Sequence, residues 1–79
     1  MPLKIVIVGA GEVGFHIASH LTLENKEVVV IDADLTAIRR VSDNLDVHVL
    51  QGSGSSPAVL EEAGIHDAEI MLAVTNSDE

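Results

Sequence analysis

Short runs of consecutive apolar residues alternate along this chain with stretches in which apolar residues recur every three or four positions. Ile5 to Val8 is all β-branched, preceded by Leu3 and Lys4 and stopped by Gly9; such a run predicts a strand covered on both faces, as in parallel sheets. Residues 11–25 change period. Val13, Ile17 and Leu21 are spaced four apart with Ala18 beside them, which predicts a helix burying that stripe. Glu12, His16, His20 and Glu24 share the spacing on the wet side, and Asn25 and Lys26 close the helix.

Val28 to Ile31 is a second apolar strand, ended by Asp32. Asp34 is an N-cap for a helix over 35–44, with Leu35, Ile38 and Val41 (and Leu45 beyond) on its buried side. Val47 to Leu50 reads as a third strand and Gly52 to Ser56 as a loop. Ser56 then Pro57 form an N-cap and first-turn proline, and Gly64 a C-terminal glycine, of a short helix over 57–63. Ile70 to Val74 is the fourth strand, and Thr75 to Asp78 resemble a further helix start. There is no internal repeat, low-complexity tract or linker.

Each crossover helix returns the chain in the same direction, so the strands form a parallel sheet. The expected fold is α/β: a Rossmann-like, truncated parallel sheet of four strands in the order 3-2-1-4, with three helices, as one domain over 1–79. Right-handed crossovers place the first two helices on one face and the third on the other, and a crevice opens between strands 1 and 4.

Composition narrows the function. Four Lys and Arg against thirteen Asp and Glu give a net charge of −9. That balance argues against nucleic acid and against an anionic membrane surface, both of which attract cationic side chains. The absence of cysteine excludes disulfides and thiolate metal sites and fits a cytoplasmic protein. No apolar run approaches the ~20 residues of a membrane helix, so no direct membrane insertion is expected. The charged start running into a strand also argues against a cleaved signal peptide.

The candidate chemistry lies in the first turn. Gly9, Ala10, Gly11, Glu12, Val13 and Gly14 fit G-x-G-x-x-G between a strand and a helix. In this pattern Gly9 makes the tight turn, Gly11 admits a pyrophosphate to the backbone, and Gly14 lets the helix lie close. Unpaired N–H groups and the helix dipole hold the anion without a lysine. Asp32, 18 positions after Gly14, ends strand 2; an acid there accepts hydrogen bonds from the adenosine ribose and repels a 2′-phosphate, favouring NAD over NADP. ATP or ADP would use the same acid. His16 and His20 lack the partners of a zinc site, Arg39 and Arg40 read as a solvated helix face, and no nucleophile–base pair is evident. The chain does not read as an enzyme; the rival is the cofactor-binding half of an NAD-dependent oxidoreductase.

These residues, with the segments 53–60, 63–65 and 73–78, resemble the N-terminal NAD-binding domain of the TrkA family, the RCK or KTN domain of potassium uptake and channel regulators. The resemblance implies that residues 9–13 hold a pyrophosphate and Asp32 the ribose. It also implies that Ser53 and Gly54 lie near the adenine, and that Thr75 and Asn76 face the nicotinamide half of NAD or NADH. Thr75 and Asn76 would serve equally as caps of a following helix. The family carries Gly-Asp after strand 3, whereas this chain has Gly52 and Ser53 and so lacks that carboxylate. The resemblance further implies a homo-oligomer, at least a dimer. It would act on a potassium transporter membrane subunit, cytoplasmic and peripheral to the inner membrane, as part of a longer chain. With four strands and three helices, the apolar fourth strand is an open edge and one sheet face is covered by the third helix alone, so self-association through strand 4 or that bare face is expected.

Overall fold

The computed structural model describes residues 3–74. Its elements are β1 (Lys4–Val8), α1 (Glu12–Leu23), β2 (Glu27–Asp32), α2 (Leu35–Asn44), β3 (His48–Gln51), α3 (Pro57–Glu62), a single 3-10 turn at Ile65–Asp67, and β4 (Ile70–Ala73). The four strands form one sheet in the order β3-β2-β1-β4, and every neighbouring pair is parallel. Ile5 sits beside Val28 on one side and Ile70 on the other, and the register continues to Val8 between Ile31 and Ala73. This is the fold expected from the alternation of strands and helices.

Because side chains alternate across a strand, the register sorts the core into two layers. Ile5, Ile7, Val28 and Val30 face α1 and α2, where they pack with Ala18, Ile38 and Val41. Val6, Val29 and Ile31 face the other way, against Ala63 and the half-buried Val59, Leu60 and Ile65. The second face therefore has one short helix and the 3-10 turn as its cover. With β4 at the sheet edge, Ile70 and Met71 keep 41% and 46% of their surface exposed.

Three sequence readings are corrected. Val13 is exposed, and the buried line of α1 runs through Gly14 and Ala18 instead. Residues four apart drift by roughly 40° per step on a helix of 3.6 residues per turn, so Val13 rotates away once Gly14 faces the sheet. Leu35, the first residue of α2, is likewise exposed, leaving Ile38 and Val41 as the buried pair. Ser56 occupies the N-cap position of α3, yet its side chain makes no capping bond.

Other terminal signals form as the residue types dictate. The Asp34 side chain accepts the Thr36 N–H at 3.0 Å, capping α2. At the end of α1, Asn25 adopts φ 61°, and the Asn25 and Lys26 N–H groups bond back to Thr22 and Leu21. That reversal closes the helix and turns the chain into β2.

Candidate functional site

All four strands run the same way, so their carboxyl ends collect at one edge of the sheet, and there the β1–α1 turn meets the end of β2. Gly9 leaves β1 with φ +119°, a conformation that a side chain strongly disfavours. A Cβ on Gly9 would stand 1.9 Å from the Val74 carbonyl oxygen, so the turn is pressed against the end of β4. In the first turn of α1, a Cβ on Gly14 would stand 1.9 Å from the Gly9 oxygen. These two glycines let α1 start directly over the strand that feeds it.

Gly11 differs. It is the N-cap of α1 with φ −73° and extended ψ, and no side chain caps the helix. That backbone geometry is open to any residue, so the fold does not demand a glycine there. What the missing side chain does is leave the helix entrance uncovered. The N–H groups of the first turn have no acceptor within the helix, and they lie at its positive end.

Asp32 completes the arrangement. Its Oδ2 accepts the Ala10 N–H at 2.7 Å, and its Oδ1 accepts the Asp34 N–H at 2.8 Å. Each carboxylate oxygen can take a second hydrogen bond, so the group is fixed in place and still has acceptor capacity. Gly9, Gly11, Asp32, Asp34, Ala37 and Val74 line a cavity of about 230 Å³ at this end of the sheet. A larger cavity of about 330 Å³ lies under the other face, lined by Lys4, Glu27, Val29, His48 and neighbouring residues; it shares no lining residue with the glycine loop.

Glu12 and Val13 contribute the first two residues of α1, with both side chains exposed. Gly54 lies against the end of β1, where its Cβ would fall 2.2 Å from Val8 Cγ1. Ser53 bonds within its own loop, to the Ser55 hydroxyl at 2.9 Å and the Ser55 N–H at 3.2 Å, and neither Ser53 nor Gly54 lines the smaller cavity. Thr75 and Asn76 lie outside the described residues, although Val74, which precedes them, is a lining residue.

Asp34, at the N-cap of α2, and Ala37, within it, line the cavity; the sequence offers Asp34 as a cap in preference to a ligand and gives no signal for Ala37. Arg40 is not merely a solvated residue: its guanidinium lies 3.4 Å from Glu12 Oε2 and 4.4 Å from the centre of the Phe15 ring. Among the described residues no group of His, Asp and Glu forms a metal site, and no helix is long and apolar enough to cross a membrane.

Comparison with known proteins adds an independent line. Residues 5–79 match the family model described as the TrkA-N domain. The chain is 44% identical over 77 residues to the Trk system potassium uptake protein TrkA of Halomonas elongata. It is 47% identical to the protein of the same name from Azorhizobium caulinodans, and 44% identical to a TrkA homolog of Archaeoglobus fulgidus. Each alignment covers 98% of this chain but 17% of the relative, so the chain spans about a sixth of the length of these proteins.

Proposed function

The chain belongs to the TrkA-N domain family, and from that premise we propose that it is the nucleotide-binding module of a Trk-type potassium uptake system, regulatory rather than enzymatic. Its ligand in this reading is NAD or NADH. The observation that carries the proposal is the Asp32–Ala10 hydrogen bond, because it joins the acid and the glycine loop into one wall of one cavity.

The chain's own groups divide the work. The N–H groups at the start of α1 receive a diphosphate, aided by the helix dipole and by the absence of a side chain at Gly11. The spare acceptor sites of Asp32 take the ribose hydroxyls, and the same negative charge disfavours a 2′-phosphate. Ser53 and Gly54 belong to the adenine side, and Thr75 and Asn76 to the nicotinamide side. Gating requires that the nucleotide bind two arrangements of paired domains unequally, since equal affinity shifts no population. The partners are a second copy of the chain and a potassium transporter membrane subunit, which would hold the module at the cytoplasmic face of the membrane.

Calorimetric titration with NAD, NADH, ATP and ADP tests this reading. Saturable binding of a dinucleotide supports it. Preference for ATP or ADP would reassign the ligand to a mononucleotide at the same acid, and no binding by any of the four would refute it.

A further inference from the structure

Glu12 places a carboxylate on the first residue of the helix whose N–H groups are assigned to an anion, in a chain with a net charge of −9. Left alone, that carboxylate repels a diphosphate and competes for the positive end of the helix. It is not left alone. Arg40, reaching across from α2, sets its guanidinium 3.4 Å from Glu12 Oε2 and over the Phe15 ring at 4.4 Å. Phe15 is half-buried and packs against the core, so it gives the guanidinium a fixed platform. His16 also faces Glu12, with Nε2 3.9 Å from Oε1.

Among the described residues, Arg40–Glu12 is the one ion pair that links α1 to α2. Both helices flank the cavity: α1 begins beside Gly11, and α2 brings Asp34 and Ala37 to the wall. We propose that Arg40 is a positioning residue for nucleotide binding, offsetting the Glu12 charge and keeping that side chain off the amides that receive the diphosphate. The inference rests on the nucleotide reading above. It assigns a role to one of only four cationic side chains.

The test is a double-mutant cycle on the full chain, with NADH affinity measured by calorimetry at low and high salt. Arg40→Met keeps an apolar stem over Phe15, and a thermal melt confirms the fold. R40M is expected to weaken NADH by roughly three- to tenfold, the size of one partly screened charge interaction. Adding Glu12→Gln should recover most of that loss, and high salt should narrow the gap between R40M and the unmodified chain. Unchanged affinity in R40M overturns the inference while leaving the nucleotide site standing. An E12Q/R40M chain as weak as R40M also overturns it, because Arg40 would then act through packing and not through the Glu12 charge. Failure of the unmodified chain to bind NADH overturns the site assignment and this inference together. Should R40M not fold, Arg40→Lys replaces it: a charge role predicts a smaller loss in R40K than in Arg40→Gln, and equal losses overturn the proposal.

Discussion

The Asp32 carboxylate and the Ala10 backbone N–H, 22 residues apart in sequence, meet at 2.7 Å. The other oxygen of the same carboxylate takes the Asp34 N–H at 2.8 Å. One side chain therefore anchors the turn after β1 and the turn after β2, the two loops that define the mouth of the cavity. An acid at this position is a structural clamp before any ligand arrives. Asp32→Asn should damage both roles, since an amide has a single acceptor oxygen and leaves one of the two N–H groups facing an NH₂. The expected loss is about 1–3 kcal/mol of stability, read by denaturant titration. NADH affinity should fall about tenfold in the same variant, for the loss of one charged acceptor. Unchanged stability would mean that the clamp is dispensable.

Gly9→Ala carries a different penalty. The φ of +119° and the 1.9 Å approach to the Val74 oxygen leave no place for a methyl group unless the turn parts from β4. A loss above about 2 kcal/mol is expected from strain and displaced packing together, with weaker nucleotide binding alongside it. A stable G9A chain with unaltered affinity would show that the turn is not held as described.

Ile7 lies at the centre of the sheet and is fully buried. Ile7→Ala should cost about 2–5 kcal/mol, most of the stability available to a domain this small. Denaturant unfolding of I7A against the unmodified chain measures it, and a loss below about 1 kcal/mol would mean the core is not packed around this residue.

The edge strand gives a prediction about association. Ile70 and Met71 are both more than two-fifths exposed on β4, and an apolar edge offers free backbone groups to another strand. The 79-residue chain should self-associate at micromolar concentration in sedimentation experiments, and Met71→Lys should shift it toward monomer. A monomer at high micromolar concentration would remove β4 as an association surface.

Much of this architecture is legible in the sequence because its determinants are local. Ile5 to Val8 and Val28 to Ile31 announce buried strands without reference to anything distant, and the glycine pattern between strand and helix marks the turn. Asp32 was legible as a candidate ribose ligand at the end of a strand, but not as the clamp on Ala10, which depends on how two parallel strands align. The exposure of Val13 was hidden for a related reason: which face of α1 is buried is decided by the contact of Gly14 with Gly9, not by the spacing of apolar residues. Arg40 was hidden more completely. Its partner Glu12 lies 28 positions earlier on another helix, and no short-range pattern links them.

Where the nucleotide binds decides the most, because the described residues line other cavities besides the one at the glycine loop, among them the larger one under the sheet face and one of about 270 Å³ beside Lys26, Asp46 and His48. Amide chemical-shift mapping during an NADH titration separates them directly. The predicted result is that shifts concentrate at Ala10 to Gly14 and at Asp32 to Asp34, around the smaller cavity. Shifts centred on Lys4, Val29 and His48, at the larger cavity, with the glycine loop silent, would contradict it.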